Sequence, residues 1–271
     1  MSICIENLSG EDKVKIAVSG KGGVGKTLIA GGLAQSFVCR RMKTIAIDAD
    51  PSPNLALTLG LSSDEARKIV PISENKELIE SKTGTGYSGV FRLSFTVDDI
   101  VREYSVSTPF GVNLIVMGTV RSMGSGCTCP ANAVVRALLR HLVVERDEVV
   151  ILDMEAGVEH IGRGTAKHVD TMLIVADANM KSLETANHIH ELATKADMKQ
   201  VLLVGNKIAN EVQKKAIEKF AEKNGLTVLG FVPFDSKVVE AEMQGETPLK
   251  YKESEAMRAI ERLRERLTAK E

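Results

Sequence analysis

The stretch Gly20-Lys21-Gly22-Gly23-Val24-Gly25-Lys26-Thr27 constrains this chain more than any other. It stands between an apolar run at residues 14–18 and an apolar, helix-compatible segment at 28–37. A strand, a glycine-rich turn and a helix are the parts of a phosphate cradle. Glycines let backbone N–H groups turn toward phosphate oxygens, and the helix N-terminus adds partial positive charge. Lys26 is placed to reach the β and γ phosphates, and Thr27 to offer its hydroxyl to Mg²⁺. The loop reads as a nucleotide site whose candidate contacts are Gly20, Lys21, Gly22, Gly23, Val24, Gly25, Lys26, Thr27 and Leu28. A chance glycine-rich turn would not need Lys-Thr at this offset.

Further apolar, β-branched runs recur at 16–18, 44–47, 112–117, 149–152, 171–175, 200–204 and 227–231. Helix-period segments at 28–37, 131–144, 182–196 and 211–224 separate several of them. Near-continuous apolar strands alternating with helices predict an α/β fold, a doubly wound and mostly parallel sheet with helices on both faces. Ligands then bind at the C-terminal ends of the strands. The length of 271 residues is expected to form one domain spanning 1–271. Residues 62–94 are the least regular, and 82–89 read as a mobile surface loop. Between 254 and 271, Met257, Ile260, Leu263 and Leu267 recur at the spacing of a helix packed on the core. Cys39, at the end of the first helix, is expected to be a small buried hydrophobe. His188 and His190 lie two apart on a helix, do not face one another, and are expected at the surface.

A hydrophobic content of 44% with 26% charged residues is that of a soluble globular protein, and the net charge of −1 gives no electrostatic reason to favour nucleic acid or anionic lipid. There is no secretory h-region and no apolar run of about 18 residues, so a cytoplasmic protein without a membrane partner is expected. Glu261, Glu265 and Glu271 interrupt the basic residues of the C-terminal segment, which disfavours a membrane-surface helix. Four cysteines in such a chain do not make a disulfide framework.

The second strand runs into Asp48-Ala49-Asp50-Pro51-Ser52-Pro53-Asn54, bringing two carboxylates to the sheet edge where a γ-phosphate would sit. Asp48 would lie toward the outer shell of Mg²⁺. An acidic turn capped by proline fits these residues, taken alone, equally well. Val149-Val150-Ile151-Leu152 runs into Asp153, and four apolar residues before an aspartate form the Walker B arrangement, whose carboxylate holds Mg²⁺ directly or through water. Gly157 lets the following backbone swing toward a γ-phosphate and away after hydrolysis. Glu155, Glu159 and His160 fit a switch or a solvated loop face. Guanine recognition by an Asn-Lys-x-Asp pattern would need a carboxylate where Asn206-Lys207-Ile208-Ala209 has Ala209, so ATP is favoured over GTP.

Cys127-Thr128-Cys129 precedes Pro130, a residue suited to the first helical position, and a helix N-terminus there would lower the thiol pKa values. Thiolates favour a soft metal. Two ligands fall short of the four that closed zinc sites use or the square-planar set open to nickel, and a twofold dimer would supply the second pair. Unliganded thiols and a redox couple stay open at this spacing.

A lysine directly after the first glycine, Lys21 after Gly20, resembles the deviant Walker A of the MinD, ParA, ArsA and nitrogenase-iron-protein ATPases. Taken together, residues 20–27, 48–51 and 153–164, the Cys127-Thr128-Cys129 pair and the strand end at Asn206 resemble the CooC-type accessory ATPases that support nickel insertion into carbon monoxide dehydrogenase. That resemblance implies that Lys21 acts in trans in a nucleotide-closed homodimer and that Asp50 positions the attacking water, so that Lys21, Lys26, Asp50 and Asp153 form the catalytic set. It also implies that Asn206, with Lys207, lies against adenine and that the backbone around Val232, Pro233 and Phe234 closes the base pocket. The activity implied is hydrolysis of ATP to ADP and phosphate, coupled to dimerisation and to binding or release of Ni²⁺, with Zn²⁺ as the other occupant and carbon monoxide dehydrogenase as client. A MinD/ParA-type spatial or partitioning ATPase and an iron-sulfur electron-transfer ATPase are the alternatives.

Overall fold

The apolar runs become eight strands in a computed structural model that describes residues 14–85, 96–118, 130–157 and 163–269. The strands are β1 (Lys15–Gly20), β2 (Thr44–Asp48), β3 (Val106–Ser107), β4 (Asn113–Val116), β5 (Val149–Asp153), β6 (Thr171–Ala176), β7 (Val201–Ile208) and β8 (Thr227–Pro233). The helices are α1 (Lys26–Cys39), α2 (Leu55–Thr58), α3 (Ser63–Lys68), α4 (Lys76–Thr83), α5 (Asp98–Tyr104), α6 (Pro130–Val144), α7 (Arg163–Ala166), α8 (Met180–Lys195), α9 (Glu211–Asn224), α10 (Ser236–Met243) and α11 (Glu255–Thr268). The strands lie in one sheet in the order β3-β4-β2-β5-β1-β6-β7-β8. All the pairings are parallel except that of the two-residue edge strand β3 with β4.

Strand alternation divides the core into two layers. Ile16 and Val18 of β1, Ala46 of β2 and Ile151 of β5 pack with Ile29, Leu33 and Phe37 of α1 and with Met257, Ile260 and Leu263 of α11. Ala17, Ile47 and Leu152 face the other way, onto Leu138 and Leu142 of α6 and Leu183 and Ile189 of α8. Every residue of β1, β2, β5 and β6 is buried, because helices cover both faces and leave no solvent side to polarise the pattern. The spacing at 257, 260 and 263 is that of a core-packed helix, as expected, with Leu267 half-buried at its margin.

Three expectations need correction. Residues 62–83 are largely helical: Ser62 and Glu65 close a capping box on α3, and Asn75 accepts from the Leu78 N–H to cap α4, whose Leu78 is buried. Polar capping residues had made this segment look loop-like; of the expected loop, 86–89 lie outside the described residues. Cys39 is exposed, because α1 ends there and turns it past the core face that Phe37 occupies; the Lys252 ammonium lies 3.8 Å from its sulfur. The strand expected at 200–204 runs on to Ile208 and carries Asn206 and Lys207 with it. His188 is exposed and His190 half-buried, and no helix among the described residues is long and apolar enough to cross a membrane.

Candidate nucleotide site

The glycine-rich loop connects the end of β1 to the start of α1, and its sharpest positions admit only glycine. At Gly20, φ is +151° and an added Cβ would stand 2.3 Å from the Val175 carbonyl oxygen of β6. Gly25, the N-cap of α1, has φ +92°, and a Cβ there would stand 2.3 Å from the Asn206 side-chain nitrogen. No side chain caps α1 and no acidic residue occupies its first turn, which leaves the positive end of the helix open to an anion. Three side chains hold the loop from below through its carbonyls. Asn206 Nδ2 donates to Val24 O at 2.7 Å, Lys207 Nζ to Gly23 O at 2.8 Å, and the buried Lys26 Nζ to Lys21 O at 3.4 Å. Lys207 does so from a left-handed backbone, φ +58°.

Sheet register brings the carboxylates under this loop. Asp153 pairs with Val18 on one side and with Asp48 on the other, and alternation turns both carboxylates toward the α1 layer. Asp48 is fully buried and accepts from the Leu55 N–H at 2.9 Å and the Asp50 N–H at 3.2 Å; burial outweighs these bonds and pushes its carboxyl up to about 6. Burial likewise pushes Asp153 up to about 7, reinforced by Asp48 and Asp50 and opposed by the Thr27 hydroxyl and the Lys26 ammonium beside it. The Thr27 hydroxyl is near enough to favour the Asp153 carboxylate yet lies outside good hydrogen-bond geometry, so neither oxygen has a well-formed hydrogen bond among the described residues. A buried carboxylate without well-formed hydrogen bonds, next to a threonine hydroxyl at a phosphate loop, is a fitting donor set for Mg²⁺, a hard cation that takes one or two protein oxygens and completes its shell with water and substrate phosphate. No group of three or more His, Cys, Asp or Glu able to hold a metal by itself occurs among the described residues.

The fold thus gathers Lys26, Thr27, Asp48, Asp50 and Asp153 at the C-terminal ends of β1, β2 and β5. Lys21 is half-exposed, and Leu28 is buried in α1. Of the expected base pocket, Val232 is buried, Pro233 half-buried and Phe234 about half exposed, while the Asn206 amide is engaged with Val24. A groove of 590 Å³ beside Ile208 and Pro233 runs along β8 between Lys214 and Arg266, away from Lys26 and Asp153. Cys127, Cys129, Glu159 and His160 lie outside the described residues, which resume at Pro130 with α6.

One site residue was missed in the sequence. Ser19 is fully buried, donates from Oγ to Glu155 O at 2.7 Å, and accepts from the Gly157 N–H at 3.2 Å. Its signal was a hydroxyl at the end of an apolar run, one residue before Gly20, in a strand with no solvent face.

A family described as the CobQ/CobB/MinD/ParA nucleotide binding domain matches residues 15–249. An uncharacterised ATP-binding protein of Methanocaldococcus jannaschii is 43% identical over 92% of this chain and 96% of its own length. The carbon monoxide dehydrogenase accessory protein CooC of Rhodospirillum rubrum is 42% identical over 86% of this chain and 88% of its own. Among solved structures, the MinC:MinD cell division protein complex of Aquifex aeolicus superposes with a TM-score of 0.69 at 20% identity, covering 95% of this chain and 97% of that one, a likeness of fold.

Proposed function

The chain belongs to the CobQ/CobB/MinD/ParA nucleotide-binding family as a CooC-type ATPase, and from that membership we propose that its ATP hydrolysis serves nickel insertion into carbon monoxide dehydrogenase. The observation that carries the nucleotide chemistry is the buried Asp153 carboxylate, without a well-formed hydrogen bond among the described residues, beside Lys26 and Thr27. Identity of 42% to a carbon monoxide dehydrogenase accessory protein, over most of both chains, supports the client.

In this reading the loop N–H groups from Gly22 to Thr27 and the start of α1 bind the phosphates. Lys26 exchanges its contact with the Lys21 carbonyl for phosphate oxygens. Thr27 and Asp153 would hold Mg²⁺, with Asp48 behind them, and the ion when bound supplies charge neutralisation across the β and γ phosphates. Asp50 accepts a hydrogen bond from the attacking water and aligns it with the γ-phosphorus; as the new P–O bond forms, the bond to the ADP oxygen breaks. Asn206, released from Val24, and the backbone at Val232, Pro233 and Phe234 receive adenine. Lys21 reaches the nucleotide of a second copy, and Cys127 with Cys129 from each copy hold one Ni²⁺, or Zn²⁺, as cargo. The protein works in the cytoplasm, where reduced thiols are available for that cargo.

Two measurements test this reading. Lys26→Ala should lower kcat for ATP by about a hundredfold or more. Anaerobic titration should find about one Ni²⁺ per two chains, lost in Cys127→Ala or Cys129→Ala with ATP binding intact. Undiminished metal binding by the double cysteine variant would exclude the proposed cargo site.

A further inference from the structure

The hydroxyl of Ser19 ties the end of β1 to the backbone after β5, a connection that nothing in the nucleotide chemistry requires. β1 alternates, with Ile16 and Val18 facing α1 and Ala17 facing the opposite layer, so Ser19 points away from the phosphate loop it introduces. There it meets the backbone that leaves β5. Its Oγ donates to the Glu155 carbonyl at 2.7 Å, with the Gly157 carbonyl a longer alternative at 3.4 Å, and accepts from the Gly157 N–H at 3.2 Å. One buried hydroxyl therefore closes residues 155–157 into a fixed turn, with Gly157 at φ +131°, a backbone conformation that L side chains rarely adopt.

We propose that Ser19 is a positioning residue that latches residues 155–157 in this turn, so that ATP must break this latch to draw the Gly157 N–H toward its γ-phosphate. The inference rests on the ATPase reading above and adds an element to it. Moving Gly157 leaves a fully buried hydroxyl short of a partner, and such a group carries a desolvation penalty that opposes the movement. ADP, with no γ-phosphate to attract that N–H, leaves the latch closed. Ser19 thus sets how strongly the site distinguishes ATP from ADP, without touching either. It occupies the same strand end as Gly20, so the latch and the phosphate cradle share one rigid support.

Ser19→Ala in the full-length protein tests this in two ways. In the nucleotide-free protein, hydrogen exchange across 155–157 should rise about tenfold while the amides of β1 and β5 stay protected. The ratio of affinities for a non-hydrolysable ATP analogue over ADP should rise by about five- to tenfold, because only the ATP state has been relieved of the latch. A merely structural loss would weaken both nucleotides together. Unchanged exchange at 155–157 overturns the latch, and faster exchange with an affinity ratio within about twofold of wild type overturns its part in nucleotide discrimination. Both results leave the ATPase reading standing provided that wild type binds ATP. A wild type that binds neither nucleotide fails that reading, and the proposal falls with it.

Discussion

Asp153 and Asp48 show what burying two carboxylates does to the stability of a protein. Burial lifts both above the ordinary value of 3.8, to about 7 and about 6. Between those limits the folded chain keeps protons that the unfolded chain has already released, so stability falls as pH rises from about 4 to about 7 and is lowest above that window. In Mg²⁺-free buffer, chemical denaturation should therefore give a more stable protein at pH 5 than at pH 8, with Asp153→Asn flattening the profile and raising stability at pH 8 by about 1–3 kcal/mol. Mg²⁺ with nucleotide should do the same for wild type; a flat wild-type profile would mean that solvent reaches the carboxylates. Gly25 is a second single-residue constraint. Gly25→Ala must place a Cβ against Asn206 from a backbone at φ +92°, and should lose nucleotide binding while the sheet, measured by far-UV circular dichroism, persists.

At the scale of elements, legibility tracked burial. β1, β2, β5 and β6 were readable because covering both faces demands uninterrupted apolar residues, and α9 because a full amphipathic period runs between its Asn210 cap and Gly225. The helices α3 and α4 were not, since only short apolar contacts such as Leu78 tie them to the core and their polar caps imitate turns. In the site, Lys26, Thr27 and Asp153 were legible from the motif, whereas Ser19 depended on which strand lies beside β5, a fact of topology. The mixed charges of α11 had a similar hidden order. Glu261 and Glu265 lie 3.8 and 3.5 Å from Arg40, while Arg262 and Arg266 line the groove along β8. Glu265 also lies 3.3 Å from the buried Arg264 of the same helix, so the acids sit among Arg40 and Arg264 rather than beside the groove, and their exposed pairs with Arg40 contribute little. The helix is held instead by its apolar face and its cap, where Ser254 accepts from the Met257 N–H. Ser254→Ala should cost about 1 kcal/mol in chemical unfolding, and Leu263→Ala about 2–5 kcal/mol because it opens a cavity between α11 and α1. A Leu263→Ala cost no larger than the Ser254→Ala cost would mean that α11 is docked more loosely than its burial implies.

At the scale of the molecule, the site as described is one-sided. Lys26, Asp48 and Asp153 are buried, whereas Gly22 and Gly23 are exposed and Lys21 is half-exposed, so among the described residues the glycine-rich loop keeps an open face. Phosphoryl transfer gains from excluding water and from an added positive charge at the γ-phosphate. A second copy packed face to face would supply both, covering the loop with its own surface and bringing its Lys21. The interface would be isologous, so the Cys127-Cys129 segments could meet across the same axis and complete a four-sulfur set. ATP binding and cargo binding would then favour the same dimer, and by linkage each should tighten the other. Light scattering should accordingly report a doubling of mass with a non-hydrolysable ATP analogue, absent with ADP. Lys21→Ala should abolish that doubling and lower kcat by about a hundredfold or more while each chain still binds ATP. The same analogue should raise Ni²⁺ affinity in wild type and leave it unchanged in Lys21→Ala. An unchanged mass with the analogue, or metal binding indifferent to it, would separate the sulfur pair from the nucleotide and leave hydrolysis uncoupled from cargo.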